Sequence, residues 1–130
     1  MGDITIYCAN PIAGRPNQNI EYARFMGTLV EAMGAVPIVP QDIEPSEHVG
    51  DCPEGYAFNE ASGHSSGCHM RDDLKALLDC NAVLFATDWE KSVGCKFEMD
   101  VARLVGMPIM YITPDGTVRD AKTGEDVLSV

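Results

Sequence analysis

Apolar residues in this chain fall into two kinds of run. Short continuous ones, at Ile4–Ala9, Val36–Val39, Ala82–Ala86 and Met107–Ile112, read as strands buried on both faces. Between them the spacing switches to i, i+3, i+4, i+7. Tyr22, Phe25, Met26, Leu29, Val30 and Met33 predict a helix over 18–33, capped by Gly34. Met70, Leu74, Leu77 and Leu78 predict a second helix over 69–78. Val93, Phe97, Val101, Leu104 and Val105 predict a third over 93–105, with that stripe buried and Gly106 as its cap. Pro37 favours an edge position or a strand start for its strand.

The order β-α-β-(long loop)-α-β-α-β predicts an α/β fold. The expected architecture is a flavodoxin-like (Rossmann-like) parallel sheet of four to five strands with helices on both faces. Right-handed crossovers then gather three segments at the carboxyl edge of the sheet. These are the loop after the first strand, the loop into the second helix, and the turn before the third. Residues 40–68 show no period, and a loop this long in a small domain is usually functional or mobile. Residues 1–112 form the expected domain. Residues 113–130 are a polar tail in which Asp115-Gly116 suggests a turn, with a hairpin as one outcome.

Composition narrows the partners. Nine Lys and Arg against twenty Asp and Glu give a net charge of -11 in 130 residues. Nucleic-acid binding wants a basic footprint, so a small-molecule ligand is expected instead. No apolar run approaches the roughly 20 residues of a membrane helix, and the start lacks a basic n-region and apolar h-region. Five cysteines, an odd number with Cys8, Cys80 and Cys95 in or beside predicted elements, read as free thiols in a reducing cytoplasm.

Several residues at the expected sheet edge carry chemistry. Glu98 follows Phe97 on the third helix and flanks its core stripe; it is a nucleophile or base, or an ordinary helical glutamate. Asp72 and Asp73 open the second helix. They compensate its dipole, or Asp73 acts as a general acid or sugar ligand. Tyr7 is a core tyrosine or a phenol hydrogen-bonded to a catalytic carboxylate. Ser92 before Val93-Gly94 suits a helix N-cap, and the same geometry holds a phosphate. Arg15, between Gly14 and Pro16, supplies a second phosphate contact or is a solvated loop arginine. Asn10 and Gly14 belong to that first loop, and Trp89 stacks on a base or covers the core edge. His48, Cys52, His64, Cys68 and His69 resemble metal-ligand material, but their spacing is no standard zinc pattern, so no metal is expected.

Together these residues resemble the nucleoside 2-deoxyribosyltransferase superfamily, which includes the nucleoside 5′-monophosphate N-glycosidases. The resemblance rests on Tyr7, Met70-Arg71-x-Asp73-Leu74, and Trp89-Glu90-Lys91-Ser92-x-Gly94-x-x-x-Glu98. It covers about residues 4–112 and is nearest to a phage-type branch. It implies that Glu98 attacks C1′ of a (deoxy)ribose, that Asp73 assists the leaving base or engages the sugar, and that Tyr7 orients Glu98. Transferases of the superfamily tend to carry Asp six residues before the nucleophile, and the monophosphate hydrolases Ser. Ser92 therefore implies a nucleoside 5′-monophosphate, with hydrolysis of its N-glycosidic bond. The resemblance also implies no cofactor and a homodimer or larger homo-oligomer. Transfer to a second base, or nucleotide binding without turnover, uses the same residues. A flavin reading is disfavoured because the first loop lacks a Thr/Ser-rich phosphate cradle.

Overall fold

The computed structural model describes residues 3–43, 58–59 and 64–128. Four adjacent parallel strands make up one side of the sheet: β1 (Thr5–Ala9), β2 (Val36–Ile38), β5 (Ala82–Phe85) and β6 (Ile109–Ile112). Each corresponds to one of the continuous apolar runs. Strand β2 lies at the edge, which suits Pro37, because a proline cannot donate to the ladder. Two further strands, β7 (Val118–Asp120) and β8 (Asp126–Leu128), continue the sheet antiparallel from β6. The order is β2-β1-β5-β6-β7-β8. Residues 113–117 reverse the chain into β7: Gly116 takes φ +90°, and the Asp115 carboxylate accepts from Thr113 Oγ1 and the Thr117 amide.

Helices cover both faces. Helix α1 (Ile20–Ala32) packs Ala23, Met26, Leu29 and Val30 on Ile6, Cys8, Leu84 and Ala86. Helices α2 (Ser66–Asp79) and α3 (Val93–Leu104) cover the other face, where Leu77, Cys95, Met99 and Ala102 meet Tyr7, Ala9, Val83 and Phe85. The alternation of β1 and β5 between these two layers follows from the two-residue period of a strand. Because the chain leaves β1 towards one face and β5 towards the other, a crevice opens between their carboxyl ends.

Three helices differ from the periodicity reading. Helix α1 starts later than residue 18, because Asn17, Gln18 and Asn19 all take left-handed backbone, φ +49°, +55° and +60°. Phe25 is exposed on its outer side. Helix α2 starts at Ser66, so Asp72 and Asp73 lie in its second turn and do not open it; Leu78 is half exposed. In α3 most of the expected stripe faces outward: Val93, Phe97, Leu104 and Val105 are exposed, Val101 is partly buried against the core as expected, and Cys95, Glu98, Met99 and Ala102 form the buried face. Cys95, Met99 and Ala102 join Leu77 of α2 and the sheet residues Tyr7, Ala9, Val83 and Phe85 in one apolar cluster. The long loop contains a 3-10 turn at Pro40–Asp42 and an antiparallel pair, β3 (Phe58–Asn59) with β4 (His64–Ser65). Its remaining residues, with His48 and Cys52, lie outside the described residues.

The three left-handed residues need support, since each costs on the order of 1–3 kcal/mol. A partly buried amide network supplies it. Asn10 Oδ1 accepts from Gln41 Nε2 at 2.6 Å and from Asn19 Nδ2 at 3.4 Å, while Asn10 Nδ2 donates to the Cys8 carbonyl at 2.9 Å. Asn19 Nδ2 also reaches the Pro11 carbonyl at 2.7 Å, and Gln41 Nε2 the Gln18 carbonyl at 3.0 Å. Outside it, Arg24 grips Asp42 through two bonds of 2.6 Å each, tying α1 to the turn after β2. Asn10→Ala is expected to cost about 1 kcal/mol or more, because the partly buried Gln41 and Asn19 amides and the Cys8 carbonyl lose their bonds. Urea denaturation measures it, and an unchanged midpoint would show that the loop holds its conformation without the network.

Candidate functional site

Helix α3 is built to carry a side chain inward from its second turn. Ser92, extended at φ -112°, caps it by accepting the Cys95 amide at 3.2 Å. With the cap at Ser92, residues 95, 98, 99 and 102 share the face that meets the sheet. Glu98 is thereby driven into the layer between α3 and β1 and is only 4% exposed. Tyr7, from the middle of β1, points into the same layer and is fully buried.

These two groups are poorly satisfied. Tyr7 Oη and Glu98 Oε2 are both buried without a hydrogen-bond partner among the described residues. The phenol is near enough to favour the Glu98 carboxylate, but the pair falls short of a well-formed hydrogen bond. A buried polar atom left unpaired costs about 1–3 kcal/mol, and native structures carry few of them. Asp73, half-buried on α2, faces the same pair and feels Asp72 beside it.

Burial dominates the electrostatics. It pushes Glu98 from 4.5 up to about 8; Tyr7 opposes that rise and the Asp73 charge adds to it. Burial, then the charge of Asp72, raises Asp73 from 3.8 to about 7. Tyr7 is held well above its ordinary value by burial and by the charges of Glu98 and Asp73. Cys95 is pushed up to about 12 by burial, followed by the Glu98 charge, and is an inert neutral thiol. Two carboxyls in one apolar layer resist ionising together, so one tends to keep its proton while the other is a carboxylate.

The other sequence-derived candidates take different places. Arg15 forms an ion pair with Asp88 at 2.6 Å, and both charges act on Cys95 at the start of α3. That brings Arg15 to the same helix end as Ser92, with Asp88 as its present partner. Gly94 is a packing position: a Cβ there would stand 3.0 Å from Met70 Cε of α2. Trp89 leans on Phe85, ring centroids 5.6 Å apart, and closes the core edge. Asn10 is buried in its amide network and turned away from the Glu98 layer. Gly14, at φ +74°, serves the turn of the first loop. Among the described residues no group of three potential metal ligands occurs. No helix among them is long and apolar enough to cross a membrane.

Sequence reasoning missed Asp88, Cys95 and Tyr22. Cys95-x-x-Glu98-Met99-x-x-Ala102 has helical spacing, but the bulkier outward stripe masks it. Asp88 lies in a polar turn with no period to mark it. The Tyr22 hydroxyl accepts the Thr87 amide at 3.2 Å and so joins α1 to the turn after β5.

Two solved structures share this architecture. One is a 2-deoxyribosyltransferase from Bacillus psychrosaccharolyticus, with TM-score 0.58 and 15% identity over 85% of this chain and 72% of that one. The other is a conserved protein from Enterococcus faecalis V583, with TM-score 0.60 and 18% identity over 94% of this chain and 70% of that one. At such identities the likeness is one of fold. No curated protein matches the chain in sequence. The family model for a domain of unknown function, DUF4406, matches residues 4–111, and the chain belongs to that family.

Proposed function

We propose that the protein hydrolyses the N-glycosidic bond of a (deoxy)nucleoside 5′-monophosphate. The observation that carries this reading is the buried, unpartnered pair of Tyr7 Oη and Glu98 Oε2 with Asp73 beside it. A fold kept at such a cost suggests a chemical use for the carboxylate. As a carboxylate, Glu98 attacks C1′ and the C1′–N bond breaks, giving a glycosyl-enzyme ester. Asp73, holding its proton, delivers it to the departing base. Water then attacks C1′, loses a proton to Asp73, and releases Glu98 as a carboxylate. Tyr7 holds the nucleophile in place by donating to the carboxylate oxygen that does not attack.

The phosphate part of the proposal rests on Ser92 and Arg15. Ser92 Oγ accepts the Cys95 amide, which leaves its own proton to donate, and the first-turn amides of α3 add a dipole favouring an anion. Arg15 then exchanges Asp88 for the phosphate. The likeness of fold to a 2-deoxyribosyltransferase and the phage-type motif string support the substrate class. Transfer of the glycosyl group to a second base in place of water is the alternative. It needs only an acceptor in the same pocket.

Base release from the common ribo- and deoxyribonucleoside 5′-monophosphates, followed by chromatography, tests the reading. Free base is expected with the wild type, and at least about a thousandfold less with Glu98→Gln. Equal release by both proteins would remove Glu98 as nucleophile. Ser92→Asp is expected to raise KM for monophosphates about tenfold or more, with little change for nucleosides. A uniform effect would remove the phosphate contact.

The raised carboxyls also set two pH dependences. The active form needs Glu98 ionised and Asp73 protonated. Because Glu98 holds its proton up to about 8 and Asp73 only up to about 7, this is the minor of the two singly protonated forms, and kcat/KM is still expected to be bell-shaped and centred between about 7 and about 8. Asp73→Asn should flatten its alkaline limb; a profile keeping both limbs would assign the acid elsewhere. Glu98 binds its proton more tightly folded than unfolded. The folded chain therefore holds more protons between the ordinary value of 4.5 and the folded value of about 8, and stability falls as pH rises through that window. Thermal melts of Glu98→Gln should show a weaker fall over that range and a higher Tm than wild type at pH 8. A parallel pair of curves would mean that Glu98 ionises without strain.

A further inference from the structure

A cavity lies at the end of the sheet opposite the Glu98 crevice. It measures about 430 Å³ and opens where the end of α3, the entry to β6 and the exit from β7 meet. That size suits a small molecule, since such sites run from about 300 to 1,000 Å³. Its walls are held in place. The Met107 amide bonds back to the Ala102 carbonyl at 2.9 Å, and the Ala121 amide crosses to the Ile109 carbonyl at 2.9 Å. Asp120 Oδ1 accepts the amides of Lys122 at 2.8 Å and Thr123 at 3.0 Å, which fixes the turn after β7. A site whose walls are already ordered costs little to occupy.

The lining defines the ligand. Met99 and Arg103 stand one helical turn apart on α3, and Met107, Pro108 and Ala121 add apolar surface. Thioethers adapt to flat rings and make favourable sulfur–aromatic contacts, and a guanidinium stacks on a ring face. Charge sets the sign. The chain has nine basic residues against twenty acids. Among the described residues Arg15, Arg24 and Arg119 are held in ion pairs, while Arg103 and Lys122, which both line this cavity, are in none. Its one acid, Asp120, is taken up by the Thr123 and Lys122 amides, which hold it below the ordinary carboxyl range. The carbonyls that end α3, at Val101, Ala102 and Arg103, already accept the amides of Val105, Met107 and Gly106, so the negative end of the helix is capped. We propose that this cavity binds a small planar anion, an apolar ring carrying one carboxylate or phosphate, with the ring against Met99 and Met107 and the anion between Arg103 and Lys122. No residue of the cavity takes part in the proposed glycosidase chemistry, so the two readings stand apart.

Amide-resolved NMR titration of the full chain tests it with benzoate, phenyl phosphate, benzamide and inorganic phosphate. Benzoate, phenyl phosphate or both are expected to move the amides of Gly106, Met107, Ala121 and Lys122, with a dissociation constant of about 1 mM or tighter. The tighter of the two identifies the anion. Benzamide has the ring without the charge, and inorganic phosphate the charge without the ring. Each should bind at least about fivefold more weakly than the better ring anion. Arg103→Gln and Lys122→Gln alter exposed positions, so the amide spectrum should keep its dispersion while binding weakens about threefold to tenfold. The proposal falls if neither ring anion moves these amides, if benzamide or inorganic phosphate binds as tightly as the better ring anion, or if both variants bind as the wild type does.

Discussion

Placing Glu98 on the inner face of α3 is the constraint around which this structure is arranged. A carboxyl in that layer loses its water, and among the described residues its Oε2 finds no hydrogen-bond partner. The surrounding residues answer to it. The face of α3 on either side of Glu98 is apolar, and Cys95, Met99 and Ala102 join Tyr7, Ala9, Val83 and Phe85 of the sheet in one cluster. Tyr7 and Asp73 come from different elements, β1 and α2, and converge on the one side chain. The Ser92 cap settles where the helix begins and therefore which residues face inward.

This convergence depends on topology. Only at the crevice between β1 and β5 do loops depart to opposite faces of the sheet. The first loop, leaving β1, is held in left-handed backbone by the Asn10, Gln41 and Asn19 amides. The turn after β5 is joined to α1 by Tyr22 and to the first loop by Arg15 and Asp88. The crevice is thus bordered by polar links that cross between elements, while each face of the sheet has its own apolar core.

How much of this can be read from the chain differs by element. Strands β1 and β5 are legible because burial on both faces makes them continuous apolar runs, while the partly exposed β2 and β6 are legible as short apolar runs after a helix. Glu98, Asp73 and Tyr7 are legible as candidates through their motif string, and the edge position of β2 through Pro37. The phase of α3 is not legible. The helix has two apolar faces, and the periodicity favours Val93, Phe97 and Leu104 by size, while packing on the sheet selects Cys95, Met99 and Ala102. The start of α2 is missed for a related reason: Ser66 and Gly67 precede its first apolar side chain, so the acids at 72 and 73 look like an opening turn. Three-residue strands such as β7 and β8 are too short to show a period.

The misread phase of α3 carries its own lesson. Two apolar stripes on opposite faces of one helix cannot both be served by one sheet. A helix selected only to cap a core would place its bulk inward, where burying each large side chain contributes about 1.5–3 kcal/mol. Here the bulk lies outside and the inner face is reserved for an acid. Two demands thus meet on twelve residues: room for Glu98 beneath the helix, and an apolar surface above it. The same rotation that buries the acid exposes Phe97, its neighbour in sequence. Turning the helix to bury Phe97 would carry Glu98 into water, where its carboxyl would titrate in the ordinary range and lose the apolar surroundings on which its proposed chemistry depends.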